Sequence, residues 1–356
     1  MRPLSELSYL GQVRRLRGLA ENALAQYRLA APQGAPRLKL LQHAENTTYR
    51  VDLPVDSVRE NEGDLYVSGR YLLRVHRIGF HSADELRSEL AWLAALRRDL
   101  GLPVPEPVRT PGGEVLVTAE TRGSGERRHC SLLRWMSGRL AYRNPRPQHL
   151  AEVGKLMARL HQHARTWTPP AGFTRGRWDW EGLFGAQSGW HAEPEVVWGL
   201  LPEALRGDCL EVAERTRQAM DQMDSRPDSM GLIHADLHLG NVLFWRGEAR
   251  VLDFDDCGYG HWIYELATAL AYNVDEPGYQ EMEQTLLAGY SSVASLPEGQ
   301  IAYLHLFIAA RYVSILLWAS DMAQVKPNIA ASLVGWRDGM HSEVQAYLRA
   351  ERWAAR

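Results

Sequence analysis

The sequence predicts an α+β fold in two parts, a small antiparallel sheet region followed by a larger, mainly helical region. Short runs rich in β-branched and aromatic residues are concentrated in the first third of the chain, whereas apolar residues at helical spacing dominate after Gly138. A chain of 356 residues is long enough for two parts with separate cores. We therefore place the domain boundary between residues 1–136 and residues 137–356.

In the first part, residues 4–28 carry apolar positions at helical spacing, which predicts an N-terminal helix that ends before residues 31–36. Residues 82–100 predict a second helix, which stops at Gly101. The predicted strands of this part are short apolar runs bounded by turn or polar residues. They are 38–41, 47–53, 66–76, 115–119 and 131–136.

The second part contains segments with apolar residues three and four positions apart, the pattern of amphipathic helices. These predicted helices are 147–164, 203–224, 262–272, 278–293, 298–322 and 327–352.

The composition is that of an ordinary globular protein, with 45% apolar and 23% charged residues. A formal net charge of -3 gives no basic field for nucleic acid, and no Lys or Arg cluster predicts a membrane surface. No apolar run approaches the roughly 20 residues needed to cross a bilayer. Three widely spaced cysteines predict neither a disulfide framework nor a zinc site. We therefore expect a cytoplasmic protein without nucleic-acid or membrane partners.

The segment HADLHLGNVLFWRGEARVLDFDD, residues 234–256, is the most informative part of the chain. Asp236 and Asn241 are separated by four residues, so a turn after a short strand can present both side chains to one cleft. Next comes a predicted hairpin with strands 242–245 and 249–252.

The return strand of this hairpin brings Asp253 back beside the start of the outgoing strand, so Asn241 and Asp253 can share one cation. Magnesium prefers oxygen ligands and is usually held by one or two protein groups plus nucleotide phosphates. Asp236 is then available to orient an acceptor hydroxyl and take its proton during phosphoryl transfer from ATP.

The pattern H-A-D-x-x-x-x-N, followed by a strand ending in Asp, resembles the catalytic and metal loops of the aminoglycoside phosphotransferase and choline kinase-like family. In that family the loop often reads H-G-D, where this chain has Ala235. The resemblance implies a two-lobed protein-kinase-like fold, with a small antiparallel-sheet N-lobe for the nucleotide and a larger, mainly helical C-lobe. It also implies ATP and Mg2+ as cofactors, Asp236 as the catalytic base, and Asn241 and Asp253 as metal ligands.

The same resemblance suggests nucleotide-binding residues in the first part of the chain. Arg74 stands in the strand where the family places a Lys that reaches the phosphates, and an Arg fork can also bind phosphate oxygens. Glu89 falls where a helix supplies the carboxylate that steadies this cation, with Glu85 as the competing residue.

The phosphate-covering loop and the adenine site are less distinct in the sequence. The turn around Asn46 contains no glycine, and Asn46 is the candidate for aiming backbone amides at phosphate. Residues 131–138 resemble the hinge whose backbone pairs with adenine, around Trp135 and Met136.

Acceptor recognition is the least specific part of the sequence. Four tryptophans lie among acidic residues, and together they can hold an amine, although tryptophans more often bury area in a core. They are Trp178, Trp180, Trp190 and Trp198. Arg311 either pairs with an acceptor carboxylate or forms an internal ion pair, and Glu265 is interpreted as a brace for the catalytic loop. Asp255 and Asp256 either assist the metal or lie exposed on a turn.

The sequence thus predicts an ATP- and Mg2+-dependent kinase for a small-molecule hydroxyl: an amino alcohol, a homoserine-like amino acid or an aminoglycoside. A cationic acceptor is one of the options. A Ser/Thr protein kinase of the same branch is one alternative, and a catalytically silent nucleotide-binding protein is another. The alternating His234, Asp236 and His238 also suggest a two-metal phosphoesterase, but its further ligand blocks are not found in the sequence.

Overall fold

A computed structural model describes residues 4–29, 34–43, 45–54, 65–121, 125–224, 228–273, 276–296 and 299–354. The chain forms two compact units. The first comprises Met1–Arg139, Pro169–Thr174 and Arg250–Asp255, and the second comprises Leu140–Thr168, Arg175–Ala249 and Asp256–Arg356.

The first unit is built on an antiparallel sheet and two long helices. In chain order its elements are α1 (Tyr9–Tyr27), β1 (Arg37–His43), β2 (Thr47–Asp52), β3 (Tyr66–Val75), α2 (Ala83–Leu100), β4 (Leu116–Glu120) and β5 (Arg127–Met136). The strand order in the sheet is β1-β2-β3-β5-β4, with antiparallel pairing throughout. Leu16 and Leu19 of α1 share a buried core with Tyr49 and Leu73 of the sheet. The two helices and five strands predicted for this region are therefore observed.

The local sequence explains where α2 begins and ends. Ser82 caps its N-terminus by accepting a hydrogen bond from the Glu85 backbone N–H, and the Glu85 side chain accepts one from the Ser82 N–H. This reciprocal capping box satisfies two of the unpaired donors of the first turn. Gly101 ends the helix in the left-handed conformation, with φ of 61°.

The remaining part of the chain is mainly helical. Its helices are α3 (Pro147–Thr166), α4 (Trp180–Phe184), α5 (Pro194–Gly199), α6 (Glu203–Asp224), α7 (Trp262–Ala271), α8 (Tyr279–Ser291), α9 (Leu304–Ala323) and α10 (Pro327–Ala354). The short strands are β6 (Arg139–Leu140), β7 (Arg177–Trp178), β8 (Met230–Ile233), β9 (Val242–Trp245), β10 (Glu248–Val251) and β11 (Gly258–His261). They form two small sheets, in the orders β10-β9-β6 and β7-β11-β8.

The predicted hairpin is present with a shifted return strand. The turn contains only Arg246 and Gly247, with φ of 50° and 87°, and β10 begins at Glu248. Two consecutive residues with positive φ are typical of the type I′ turn that matches strand twist. The return strand was predicted one residue too late because Glu248 was assigned to the turn.

The helical segment Gln300–Ala323 has the length and apolar composition of a membrane span. Its most apolar window, a stretch of 18 residues, has a mean hydropathy of 1.6. In the structure 67% of that window is buried inside the protein, as in the core helix of a globular protein. Arg311 and Asp321 interrupt the apolar residues of this segment. For that reason the sequence analysis did not identify it as an apolar run of bilayer length.

Helices α3 and α8 approach closely at two glycines. A Cβ atom at Gly154 would collide with the Leu286 carbonyl oxygen, and one at Gly289 would collide with the Ala151 carbonyl oxygen. Because both obstacles are backbone atoms, a methyl group at either position can be accommodated only if the helices separate.

We predict that Gly154→Ala lowers the free energy of unfolding by about 1–3 kcal/mol, the usual cost of overpacking. Gly207→Ala is the matched control, because Gly207 is exposed on α6 and no other group lies near the position that an added methyl would take. Gly207→Ala should leave the free energy of unfolding unchanged or raise it by up to about 1 kcal/mol. Chemical denaturation measures both, and equal effects would contradict the close helix contact.

Candidate active site

The loop after β8 brings Asp236 and Asn241 together within the second unit. The Asn241 Nδ2 atom donates to the Asp236 carbonyl oxygen at 3.0 Å and to its carboxylate Oδ2 at 2.9 Å. Both partners can only accept hydrogen bonds, so the amide nitrogen must face Asp236 and the Asn241 Oδ1 atom faces elsewhere. This arrangement leaves the carbonyl oxygen of Asn241, a suitable magnesium ligand, directed away from the carboxylate.

The fully buried Glu265 side chain of α7 braces this loop. Its Oε1 atom accepts hydrogen bonds from the backbone N–H groups of His234, at 2.7 Å, and Ala235, at 3.2 Å. Its Oε2 atom is hydrogen-bonded to His161 Nε2, and His161 Nδ1 lies 2.9 Å from the Tyr290 hydroxyl. The interpretation of Glu265 as a brace is confirmed by these contacts.

The two histidines of the loop have structural contacts of their own. His234 Nδ1 accepts a hydrogen bond from the Asp236 backbone N–H at 3.3 Å, and His238 Nδ1 accepts one from Gly240 at 3.0 Å. The His238 ring also packs against Tyr272, with centroids 4.4 Å apart. His234 therefore stabilises the loop that carries Asp236.

Ala235 adopts an uncommon backbone conformation, with φ of 68°, and is fully buried. This left-handed region is readily available to glycine and unfavourable for residues with a Cβ atom. The conformation gives a physical reason for the glycine that the related H-G-D motifs carry at this position.

The Asp236 carboxylate is charged and partly accessible, with 23% of the side chain exposed. Burial alone would raise its pKa. His238, 3.6 Å away, and the guanidinium of Arg311 outweigh burial and lower the pKa to about 2. Asp236 is therefore ionised at neutral pH and can accept a hydrogen bond from a hydroxyl group.

Arg311 of α9 forms an ion pair with Asp236, with its Nη2 atom 2.5 Å from Oδ1. Its guanidinium also donates to the Tyr264 hydroxyl at 3.0 Å and the Tyr272 hydroxyl at 3.1 Å. Of the two sequence interpretations of Arg311, the structure has the internal ion pair. The sequence could not identify its partner, because 75 residues separate the two side chains.

Within the first unit, Arg74 is buried among three carboxylates. Its Nη1 atom lies 2.8 Å from Glu89 and 3.3 Å from Asp255, and its Nη2 atom lies 3.1 Å from Asp253. Burial opposes the charged form, but these carboxylates outweigh it and raise the pKa of the guanidinium above its usual value. Glu89, and not its competitor Glu85 in the capping box, is therefore the partner of Arg74.

Asn46 links the turn before β2 to this cluster. Its Nδ2 atom donates to Asp255 Oδ2 at 2.9 Å, and its Oδ1 atom accepts from the Arg77 backbone N–H at 3.0 Å. The Asn46 side chain thus holds Asp255. Asp255 is buried, so it does not lie exposed on a turn, which was one of the two interpretations from the sequence.

The cluster joins one guanidinium to the carboxylates of Glu89, Asp253 and Asp255. Asp253 has φ of 54°, and its side chain is 56% exposed, so it lies at the accessible edge of the cluster. Carboxylate oxygens are suitable ligands for a divalent cation of the kind that accompanies nucleotide phosphates.

Trp135 and Met136 lie at the end of β5. Met136 is buried and pairs with Tyr66 of β3, while Trp135 is partly exposed and lies beside Arg70, whose guanidinium is 5.9 Å from the ring centroid. Both residues are therefore at the strand end where the sequence placed them.

Three of the four tryptophans in the tryptophan-rich stretch make structural hydrogen bonds. The indole nitrogens of Trp178, Trp180 and Trp198 donate to the carbonyl oxygens of Asp256, Ala213 and Phe184. Asp179 caps α4, and Glu181 accepts from the Ala186 backbone N–H. These contacts support the interpretation that the tryptophans stabilise the fold over that of an amine-binding cluster.

The second unit thus holds a carboxylate beside an oriented amide, and the first unit holds an Arg–Glu pair next to an acidic turn. Residues 37–300 match the model of the phosphotransferase enzyme family, APH. The chain belongs to this family.

Curated relatives include amicoumacin kinase of Bacillus subtilis, 27% identical over 262 residues, which are 72% of this chain and 67% of the relative. Homoserine kinase of Nitrobacter winogradskyi is 28% identical over 224 residues, covering 61% of this chain. The chain spans 62% of the length of that homoserine kinase.

Solved structures with the same fold include a microcompartment-associated aminopropanol kinase, with a TM-score of 0.75 and 29% identity over 93% of this chain and 97% of that one. The amicoumacin kinase hAmiN, in complex with AMP-PNP, Ca2+ and Ami, has a TM-score of 0.70 and 20% identity over 95% of this chain and 96% of that one.

These findings confirm the predicted family and the two-lobed α+β kinase-like fold. The protein is a kinase that transfers phosphate from ATP, with a divalent metal, to a hydroxyl group of a small molecule. They favour this activity over the protein kinase and the silent nucleotide-binding protein.

We predict that Ala235→Gly is tolerated, because relief of the left-handed strain offsets the lost methyl contacts, each worth about 1 kcal/mol. Ala235→Val should lower the free energy of unfolding by more than about 2 kcal/mol, since a β-branched residue with positive φ is strained. Denaturant titration and ATP turnover check both variants. A Val variant as stable as the wild-type protein would contradict the observed conformation.

Proposed function

We propose that this protein phosphorylates a small amino alcohol or hydroxyl amino acid in the cytoplasm, with Asp236 as the catalytic base and Mg2+ as the metal. One observation carries the proposal: an ionised, partly accessible Asp236 carboxylate is fixed by Asn241 on a braced loop. The names of the relatives, aminopropanol kinase and homoserine kinase, supply the acceptor class. Among the described residues, Cys130, Cys209 and Cys257 are buried and not in disulfides, which agrees with a reducing compartment.

Asp236 would orient the acceptor hydroxyl and receive its proton. In the transfer, the acceptor oxygen forms a bond to the γ-phosphorus of ATP. The bond from that phosphorus to the bridging oxygen breaks, and ADP keeps the electron pair. Phosphoryl transfer has a loose transition state in most analyses, so positioning contributes more than the strength of the base. A base with a low pKa is compatible with that role.

We further propose Asn241 and Asp253 as the magnesium ligands. The support comes from each unit separately: the carbonyl oxygen of Asn241 is directed away from Asp236, and Asp253 lies at the accessible edge of an acidic cluster. Bound magnesium would neutralise charge on the phosphate oxygens.

The nucleotide-binding residues belong to residues 1–136 in this proposal, and the catalytic loop belongs to residues 137–356. Arg74, steadied by Glu89, would contact phosphate oxygens. Asn46 would contribute by holding Asp255 and the turn before β2. The backbone around Trp135 and Met136 would pair with the adenine. A positive charge on the acceptor would be compatible with the ionised Asp236.

We predict that the wild-type protein phosphorylates a small-molecule acceptor fastest, as measured by the rate of ADP release. The small-molecule panel contains homoserine, hydroxylysine, 1-amino-2-propanol and 3-aminopropan-1-ol. Native and denatured casein serve as protein acceptors for comparison. Asp236→Asn should lower kcat by about 10²–10⁴-fold, the usual contribution of a general base. Asp221→Asn, an exposed change on α6, should leave kcat unchanged. An active Asp236→Asn variant, or a preference for casein, would overturn the proposal.

We predict that Asn241→Ala and Asp253→Asn each raise the Mg2+ concentration for half-maximal activity by at least about 10-fold, since even outer-shell changes cost that much affinity. The measurement is a Mg2+ titration of ADP release at fixed ATP. Asn144→Ala, at an exposed position, is the matched control. An unchanged Mg2+ requirement in either site variant would remove that residue from the ligand set.

A further inference from the structure

Arg311 lies outside the sequence motif but contacts its central residue. It occupies α9, where its neighbours Ala309, Ala310 and Val313 are apolar and buried, and its own side chain is also buried. Placing a charged side chain in such a helix costs several kcal/mol unless a partner offsets the loss of hydration. The partner in this structure is Asp236.

The two oxygens of the Asp236 carboxylate are held from two directions. Oδ1 accepts from Arg311 at 2.5 Å, and Oδ2 accepts from Asn241 at 2.9 Å. Each carboxylate oxygen can accept two hydrogen bonds, so these contacts leave positions for an acceptor hydroxyl. Together they prevent rotation of the carboxylate.

The guanidinium is itself held by Tyr264 of α7 and by Tyr272, the residue that follows α7. Hydroxyl groups of Tyr264 and Tyr272 accept from its two terminal nitrogens, and the Tyr272 ring packs against His238 of the catalytic loop. Trp178 stacks on Tyr264, with ring centroids 5.8 Å apart. Arg311 is therefore a rigid donor, whose position relative to Asp236 is set by two helices and the loop.

We propose that Arg311 is a positioning residue for phosphoryl transfer, which fixes the Asp236 carboxylate in the orientation that the acceptor hydroxyl meets. It acts through Asp236 and does not bind the acceptor or the nucleotide. This inference rests on the proposed role of Asp236.

The test compares Arg311→Met and Arg311→Lys with the wild-type protein in ADP release. The assay uses the best acceptor of the panel, or water if no panel member is phosphorylated. Arg311→Met should lower kcat by about 10²-fold, the effect of a misplaced catalytic group, and leave KM for ATP and acceptor within about 3-fold. Arg311→Lys should recover part of kcat because it keeps the charge. Ser320→Ala, at a buried position on the same helix, is the control and should retain wild-type kcat.

A second set of variants separates this role from a structural one. In an Asp236→Asn background, Arg311→Met should cause no further loss of kcat, whereas a general structural defect would add to it. Tyr272→Phe removes one contact of the guanidinium and should lower kcat by less than Arg311→Met does. If Arg311→Met fails to fold, the Lys and Tyr272→Phe variants carry the test, and wild-type kcat in both would refute the proposal.

Matched acceptors distinguish positioning from acceptor binding. Homoserine and 3-aminopropan-1-ol differ by one carboxylate. A rise in KM for homoserine alone, with kcat unchanged, would show that Arg311 binds the acceptor carboxylate, and the inference would be wrong. Wild-type kcat in the Asp236→Asn variant would instead contradict the proposed function.

Discussion

The conformation of the catalytic loop depends on the buried carboxylate of Glu265. One of its oxygens accepts two successive backbone N–H groups, from His234 and Ala235, in a region without water access. Leaving a buried donor without a partner costs about 1–3 kcal/mol, so the loop has a strong preference for this path. The strained backbone of Ala235 persists because these bonds determine it, and Asp236 emerges directly after it.

The acidic residues of the motif lie on loops, whereas the arginines that hold them lie on regular elements. Arg311 belongs to a core helix and contacts Asp236, and Arg74 belongs to the central strand of the sheet and contacts Asp253 and Asp255. Loops can carry chemistry when a rigid scaffold positions them. In this protein the scaffold acts through charge-assisted hydrogen bonds from buried guanidinium groups, a class that is stronger than neutral hydrogen bonds.

The sequence predicted those features that depend on local pattern. The long helices, the five strands of the first sheet, the hairpin after Asn241 and the pairing of Arg74 with Glu89 all follow from periodicity or family resemblance. The short elements α4, α5, β7 and β11 were missed because two to six residues carry no measurable periodicity. The contacts of Arg311 with Asp236, and of His161 with Glu265, join residues 75 and 104 positions apart. Such pairs depend on how helices pack, which a single sequence does not encode locally.

The orientation of the Asn241 amide explains why this position suits asparagine and not its acidic counterpart. The nitrogen end of the side chain is directed at a carboxylate 2.9 Å away. An aspartate there would bring two like charges into contact, so that both could not stay ionised. A neutral ligand with two chemically different ends avoids this conflict, since it offers hydrogen to the base on one side and oxygen to a cation on the other.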